Sequence, residues 1–439
     1  MRVSRRVLST AVAAGLLVSA AGCGGDDGGG DETLPGGGAL KGVKVEVAAK
    51  WTGPEEKNFR EVLKAFEKKT GATVAYASTG ENTDAFLGPR LQANQPPDVA
   101  ILPQPGLMKQ YAAKGSLKAL GTDVTQQIDA NFTPYWKELG SAEGKTYGVL
   151  IKAAYKSIMW YRPQVFSDAG VQPPATWADL VKAAGTVRDS GTTPFTLAAG
   201  PQDAWTLTDW FENVYLSQAG PDKYDQLAEH EIKWTDPSVA KALETLAEIW
   251  GKPDLFAGGV SQATKTKFDA SVTEVFGQQK AAMVYGGDFA AANIGTTKSK
   301  VGTDAKVFAF PKAGDTAPAM LGGDIAVALK DGKGAMELMK FLASPEAGKI
   351  WAGLGGYLSP NKGVPPEAYA DPVAKQLIAQ LQQAGDAARY DMSDLTPAAF
   401  GGTPGKGMWE ALRGFVQKPS DVKGTQAKLE AEAAKAYKS

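Results

Sequence analysis

The sequence is poor in the residues on which many catalytic sites depend, because it contains one histidine, His230, and one cysteine, Cys23. His230 lies between Glu229 and Glu231 in a polar stretch that is typical of a solvated helix end. Without partner histidines or a free thiol, Ser-His-Asp, Cys-His and zinc-ligand arrangements are excluded. No Walker-type or dinucleotide glycine fingerprint occurs either. We therefore expect no metal and no cofactor, while paired carboxylates, as in glycosidases, stay possible because spacing does not exclude them.

The sequence also lacks an excess of charge of either sign. Its 47 Lys and Arg residues and 48 Asp and Glu residues leave a formal net charge of −1, so nothing attracts the chain to nucleic acid or to anionic lipid. Beyond the amino-terminal segment, no apolar run approaches the ~18 residues that a membrane-spanning helix needs. The expected partner is therefore neutral or locally matched in charge, and nucleic acid is not expected.

The amino-terminal segment is typical of a bacterial lipoprotein signal. A basic start with Arg5-Arg6 precedes an apolar run at 7–21, and Ser-Ala-Ala-Gly precedes Cys23. This pattern resembles the lipobox family of cleavage sites, in which the cysteine is lipidated. We predict a signal peptide at 1–22, lipidation of Cys23, and anchoring on the extracytoplasmic face of the cell membrane after Sec or twin-arginine export. An ordinary secretory signal with a chance cysteine is the alternative.

Residues 23–42 consist mostly of glycine with several acidic residues. They contain too few apolar side chains to offset the entropy of ordering, so we predict a flexible tether. The body that follows is long enough for two or three cores at roughly 100 to 200 residues per domain. It must be stable without disulfides.

The body begins with alternating strand and helix patterns. Valines alternate with polar residues at 43–47, and apolar residues then recur at helical spacing over 59–66 after Pro54. A second strand is predicted at 73–77, and the right-handed crossover between the two implies a parallel pair. The pattern repeats at 98–102. These alternations predict an α/β fold with an open, doubly wound sheet.

Ligands of such sheets collect outside the carboxyl ends of the strands. The three predicted loops there combine an aromatic side chain with hydrogen-bonding groups; they carry Trp51, Glu55, Ser78, Thr79, Glu81, Asn82 and Gln104. Two later strands are predicted at 280–285 and 325–329. A Gly-Gly-Asp triplet follows the first, at 286–288, and another precedes the second, at 322–324. Each triplet is interpreted either as a turn or as a ligand contact.

Several segments, taken in order, resemble the extracellular solute-binding proteins of carbohydrate ABC importers, the family that includes maltose-binding protein. They are FEKKTG at 66–71, PPDV at 96–99, GSL at 115–117, GKTYGV at 144–149, WY at 160–161, PPATW at 173–177, KAAM at 280–283, FLASPE at 341–346 and LSPN at 358–361. Arg162-Pro163 departs from the Asn-Lys that is usual in the family after the aromatic-Tyr pair. QPG at 104–106, GD at 323–324 and SD at 393–394 are similar to its α-glucoside-binding branch.

The resemblance implies a two-lobed periplasmic-binding-protein fold of type II, with hinge strands and a ligand cleft between the lobes. It implies a first lobe at 43–152 plus 312–342 and a second lobe at 153–311 plus 343–439. The implied protein is a monomer and not an enzyme. It would capture a sugar, as an oligosaccharide or α-glucoside, and deliver it to ABC permease subunits, touching the membrane only through its lipid anchor.

Sugar rings present an apolar face to aromatic planes and hydroxyls to carboxylates and amides. The aromatic candidates are Trp51, Trp205, Trp210, Phe289, Tyr357 and Trp409, and the polar candidates are Glu55, Thr79, Asn82, Gln104, Tyr155, Asp209, Asp288, Asp324 and Asp394. The remaining tryptophans are expected in the core. Two alternatives stay open: the same fold binding a non-sugar solute, and a secreted glycosidase. Phosphate ligands would need an arginine cluster, which the predicted loops lack.

Overall fold

A computed structural model of the chain describes residues 38–383 and 388–438. The predicted signal peptide, the predicted lipidation site Cys23 and most of the predicted tether lie outside these residues, so all three stay predictions. In the part that the structure describes, no helix is both long enough and apolar enough to span a bilayer.

The first strand–helix–strand unit forms as predicted. Strand β1 (Lys44–Ala49) pairs in parallel with β2 (Thr73–Ser78) on one side and with β3 (Val99–Leu102) on the other. Helix α1 (Gly53–Thr70) carries glutamates in its first turn and ends at Gly71, whose φ of 78° is the left-handed conformation that favours glycine. The carboxyl ends of three parallel strands therefore meet at one edge of the sheet.

The first sheet has the order β12 (Arg389–Tyr390), β11 (Met320–Ala328), β3, β1 and β2. Strand β6 (Gly148–Tyr155) also pairs with β11. Strand β11 begins five residues earlier than predicted, so the triplet at 322–324 lies inside the strand and not before it. Its glycines are required by close packing, because a Cβ on Gly323 would lie 2.4 Å from the carbonyl oxygen of Lys152 in the neighbouring β6. The register then shifts between Asp324, which pairs with Lys152, and Ile325, which pairs with Leu150, so Ile151 of β6 is the extra residue.

The second sheet has the order β10 (Lys306–Ala309), β7 (Ile158–Tyr161), β9 (Met283–Tyr285) and β8 (Phe195–Thr196). Strand β7 follows β6 after only two residues, Lys156 and Ser157, so the chain passes from the first sheet to the second at this point. Strand β9 confirms the later part of the strand predicted at 280–285. The triplet at 286–288 follows it as expected.

The first sheet packs in one hydrophobic cluster. The second sheet contributes to both, because Trp160 and Val284 belong to the first cluster and Met159 and Met283 to the second. The first cluster also contains Trp351 and Leu377, which follow the predicted lobe boundary at 342, and helix α14 (Pro345–Ala352) packs against α1. The second cluster contains Met392 and Phe415. The lobe boundaries stay a prediction, and this packing favours a final crossing near Asp391. The tryptophans that were expected in the core are all buried.

The remaining strands are β4 (Ser141–Ala142) and β5 (Lys145–Thr146). The remaining helices are α2 (Thr83–Gln92), α3 (Pro105–Ala113), α4 (Thr122–Asn131), α5 (Pro134–Leu139), α6 (Pro163–Asp168), α7 (Trp177–Asp189), α8 (Trp205–Ala228), α9 (Pro237–Trp250), α10 (Gly259–Ala263), α11 (Phe268–Phe276), α12 (Ala290–Ile294), α13 (Lys333–Leu342), α15 (Pro372–Gln383), α16 (Met392–Leu395), α17 (Ala398–Gly401), α18 (Gly407–Gln417) and α19 (Val422–Ala436). Short 3-10 turns occupy Pro253–Leu255 and Pro366–Ala368.

Candidate functional site

A cavity of about 400 Å³ opens at the carboxyl ends of β1, β2 and β3. The loops after these strands form one side of it, and residues from the beginnings of α8, α11 and α18 form the other. This volume falls within the range of roughly 300 to 1,000 Å³ that is usual for small-molecule sites. Eight of the nominated residues line the cavity: Trp51, Glu55, Gln104, Trp205, Phe289, Asp324, Asp394 and Trp409.

The other nominated residues lie outside this lining. The hydroxyl of Tyr357 donates to the carbonyl of Ile151 at 2.8 Å, and Trp210 is 1 % exposed in the second core. Asp288 accepts a hydrogen bond from the backbone N–H of Tyr155 at 2.7 Å. These contacts shape the region behind the cavity wall.

Thr79 and Asn82 belong to the loop after β2. The hydroxyl of Thr79 donates to the carbonyl of Gly80 at 2.9 Å. The side chain of Asn82 accepts from the N–H of Ala85 and so caps helix α2. Asn82 lines a second cavity of about 210 Å³, which shares Asp84 and Ala398 with the first.

Four lysines line the cavity, and none was nominated from the sequence: Lys50, Lys152, Lys156 and Lys267. The ammonium of Lys152 pairs with Glu55 and lies 5.5 to 5.6 Å from the ring centroids of Trp51, Phe289 and Trp351, within cation–π range. A charged residue inside the otherwise buried apolar strand β6 is the sequence signal that would have found it.

Lys156 lies at the centre of a buried polar network. Its ammonium pairs with Asp391, lies 3.3 Å from Asp209 and 3.9 Å from Asp394, and is 5.5 Å from the ring of Trp205. Burial alone would raise the pKa of Asp391, but the ammonium of Lys156 holds it at about 2. Burial and the charge on Asp391 instead raise the pKa of Asp394 to about 8. Both effects favour the protonated form of Asp394, which can donate a hydrogen bond into the cavity.

Asp209, Glu212 and Asp391 form a cluster of potential metal ligands, with their oxygens within 4.8 Å of one another. Donors from the chain already reach all three carboxylates. Lys156 contacts two of them, and Glu212 accepts from the hydroxyl of Tyr224 at 3.0 Å and from backbone N–H groups. The arrangement is that of a satisfied buried network.

Some cavity-lining polar groups, in contrast, have hydrogen-bonding capacity to spare. Gln104 and Asp324 are each 6 % exposed, and neither side chain makes a hydrogen bond to a described residue. The nearest charged partner of Asp324 is Lys50, at 3.9 Å. Because both side chains line the cavity, they can hydrogen-bond to a group that enters it.

Carboxylates from both sides meet at one end of the cavity. Burial of Glu81 raises its pKa to about 7; Lys50 opposes the shift, while Asp203, Glu55 and Asp269 reinforce it. The side chain of Glu81 has no hydrogen-bond partner within the described ranges. This end therefore favours neutral or hydrogen-donating groups and repels anions.

Among the aromatic residues of the lining, Trp205 differs from Trp51 and Trp409 in exposure. Trp51 is 2 % exposed and packs edge-to-face on Phe59 and Trp351, and Trp409 is 4 % exposed. Trp205 is partly exposed and lies 5.0 Å from Phe268 and 5.8 Å from Phe289, measured between ring centroids. Trp205 therefore offers the more accessible aromatic surface for a ligand.

The sequence matches the family described as bacterial extracellular solute-binding protein over residues 51–349. It is 31 % identical over 381 residues to the osmoprotective compounds-binding protein GgtB of Synechocystis sp., covering 84 % of this chain and 89 % of that protein. It is 30 % identical over 390 residues to the alpha-glucosides-binding periplasmic protein AglE of Rhizobium meliloti, covering 86 % and 84 %.

Solved structures with the same fold have lower sequence identity. The bacterial solute receptor AcbH, described with an exclusive preference for β-D-galactopyranose, superposes with a TM-score of 0.79 at 19 % identity, covering 90 % of this chain and 99 % of that one. RafE in complex with raffinose gives a TM-score of 0.73 at 18 % identity, covering 90 % and 100 %. The two-lobed binding-protein architecture is common to all of them.

Proposed function

Because the chain belongs to the bacterial extracellular solute-binding protein family, we propose that it captures an uncharged sugar, an oligosaccharide or α-glucoside, and delivers it to an ABC permease. The observation that carries this proposal is the cavity itself, which is lined by the accessible ring of Trp205 and by the side chains of Gln104 and Asp324, which make no hydrogen bond to a described residue. The names of AglE, which binds alpha-glucosides, and of the raffinose complex of RafE support the ligand class.

The polar groups of the cavity complement sugar hydroxyls, each of which donates and accepts. The amide of Gln104 does both, the carboxyl oxygens of Asp324 accept, and a protonated Asp394 donates. The ring of Trp205 would lie against the apolar face of a pyranose. No arginine lines the cavity among the described residues, and Lys50, Lys152 and Lys156 already lie against carboxylates, which together disfavour a phosphate ligand.

Capture would proceed by closure of the two lobes over the sugar. Residues from both hydrophobic clusters line the cavity, so closure removes water from the polar contacts and strengthens them. We propose that lipidation at Cys23 keeps this receptor beside its permease on the extracytoplasmic face of the membrane. A receptor, and not an enzyme, agrees with the solute-binding relatives.

A ligand screen tests this function. Thermal unfolding of the protein is followed with sucrose, trehalose, maltose, maltotriose, raffinose and galactose, and with glucuronate, glucose 6-phosphate and spermidine as charged controls. A sugar present at 100 times its Kd should stabilise the native state by about 2.7 kcal/mol. Stabilisation by charged controls alone would contradict the proposal, and release of reducing ends from the oligosaccharides would favour a glycosidase.

A further inference from the structure

The amino terminus of helix α3 lies unusually close to the segment 394–402. A Cβ built on Gly106, in the first turn of α3, would lie 2.3 Å from the carbonyl oxygen of Thr396 and 2.9 Å from that of Leu395. Real Cβ atoms do not approach a backbone oxygen this closely. Only glycine at 106 permits this packing.

A second glycine, Gly402, takes part in the same contact, beside the side chain of Gln104. A Cβ on Gly402 would lie 1.6 Å from Nε2 of Gln104 and 2.3 Å from its Cδ. The φ of Gly402 is −128°, which any residue adopts, so the backbone conformation does not require glycine here. Glycine is needed here because the side chain of Gln104 occupies the place of a Cβ.

The segment 394–402 lies where the two cores meet. Leu107 and Met108 of α3 belong to the first hydrophobic cluster, and Leu395 and Ala398 contact that cluster, whereas α16 and α17 pack mainly against α8, α18 and α19 of the second cluster. The contact adjoins the cavity, because Gln104, Asp394 and Gly402 all line it. Bringing these surfaces together therefore joins the two lobes beside the ligand.

We propose that Gly106 and Gly402 form a closing seam: their missing side chains let α3 meet the segment 394–402 when the cleft closes, and Gly402 holds the amide of Gln104 against the cavity. Both glycines thereby set the affinity for the sugar. This inference rests on the proposed function, in that closure captures a sugar.

The two glycines act differently. An alanine at 402 would meet the far end of a flexible side chain, so Gln104 would swing away and lose its contact with the sugar. An alanine at 106 would meet a backbone carbonyl, so the lobes would be held apart. Each change should weaken sugar binding at least about tenfold, which is 1.4 kcal/mol.

A ligand-free test uses disulfide trapping in the chain carrying Cys23→Ser. The variants Gln104→Cys and Gly402→Cys are combined, because a Cβ on Gly402 would lie 2.3 Å from Cδ of Gln104, so the two cysteines would lie next to each other when the seam forms. Mild oxidation with diamide should join them, and Gly106→Ala should slow the reaction at least about fivefold. Gly185→Ala, in α7, is the matched control, because a Cβ there meets nothing within 4 Å. An unchanged rate with Gly106→Ala, or failure of the pair to join, would overturn the seam.

Calorimetric titration with maltose, trehalose and sucrose then tests its effect on affinity. For a sugar that binds the parent chain, Gly402→Ala and Gln104→Ala should each weaken binding, and the double variant should be no weaker than Gln104→Ala alone, because both remove one contact. Gly414→Ala, also in open space, should bind normally. Parent-like affinity of Gly402→Ala would overturn the inference and leave the proposed function standing. If no sugar binds the parent chain, the proposed function fails and the trapping rates alone decide whether the seam exists.

Discussion

Trp205 and Trp51 both line the cavity, yet their environments predict different roles. Trp205 is partly exposed, so Trp205→Ala should lower sugar affinity by about 2 kcal/mol, roughly thirtyfold, with little loss of stability. Trp51 is 2 % exposed and packed on Phe59 and Trp351, so Trp51→Ala should lower the free energy of unfolding by about 3 to 5 kcal/mol. Urea unfolding and calorimetry on each variant measure both quantities. Equal effects of the two variants on stability would contradict this division.

Glu81 predicts that acid strengthens binding. In an open cleft the pKa of its carboxyl would lie near the ordinary value. In the closed cavity burial raises this pKa to about 7; Lys50 opposes the rise, while Asp203, Glu55 and Asp269 add to it. Closure therefore takes up a proton. The gain in affinity from this proton uptake is present below pH 7 and is lost as the pH rises through 7. Affinity for a neutral sugar should fall about three- to tenfold between pH 6 and pH 8.

Glu81→Gln provides the control for this titration, because the amide keeps the shape of the side chain and cannot ionise. Its affinity should vary less with pH than that of the parent chain, with the remaining dependence arising from Asp394, whose pKa burial and Asp391 raise to about 8. Calorimetry at several pH values makes the comparison. Identical pH profiles for the two proteins would exclude Glu81 as the source.

At the residue level, sequence reasoning reached those side chains whose position follows from a strand end. Trp51 and Gln104 lie just after β1 and β3, and Glu55 lies in the first turn of α1, so the sheet topology brings all three to the cavity. Asp209 was nominated as a ligand contact, but the ammonium of Lys156 holds it in the buried network instead. The lysines that line the cavity were missed because the net charge of the chain, which is close to zero, does not show which charged side chains are buried together.

At the scale of elements, helix α1 and the parallel strands were predictable because periodicity, capping and a terminal glycine agree. Strand β11 was less so. Its Gly-Gly-Asp triplet has the composition of a turn, yet close packing on Lys152 of β6 determines the strand there. Such a contact depends on a partner that is distant in the sequence, so the local sequence pattern does not predict it.

The connection from β6 to β7 depends on Lys156. Its ammonium lies between Asp209 of α8 and Asp391, which follows β12, so three elements meet at one charge. Lys156→Met leaves buried carboxylates without their cation and should lower the free energy of unfolding by about 3 to 5 kcal/mol. Urea unfolding measures the change.

The double variant Lys156→Met, Asp391→Asn tests the electrostatic origin of that loss. Removing the carboxylate whose pKa Lys156 holds at about 2 should restore part of the stability, because less uncompensated charge remains buried. A double variant that is less stable than Lys156→Met alone would show that packing, and not charge, dominates at this position.

For the whole molecule, the predicted lipid anchor determines where the receptor works. Cys23→Ser should leave the body folded and release it from the membrane fraction, since the described residues contain no membrane-spanning helix. Cell fractionation and immunoblotting follow the protein. Retention of the processed variant in the membrane fraction would mean that another segment attaches it.

Two lobes around a cavity were predictable as a family fold, but the position of the last crossing was not. The segment after 342 packs in the first cluster through Trp351 and Leu377. Its own sequence does not indicate which of the two sheets it packs against. Long-range packing of this kind also creates the seam at Gly106 and Gly402. The whole-molecule property that matters for function is therefore how closely these surfaces meet.

Titration of trehalose, maltose and sucrose at about 0.05 and about 0.5 M salt tests the central claim of uncharged-sugar capture most directly, because screening changes strongly over this range. The account predicts saturable binding of at least one of these sugars, with a dissociation constant that changes less than about twofold between the two conditions. Failure of every neutral sugar to bind, together with a tight charged ligand whose affinity falls steeply with salt, would contradict it.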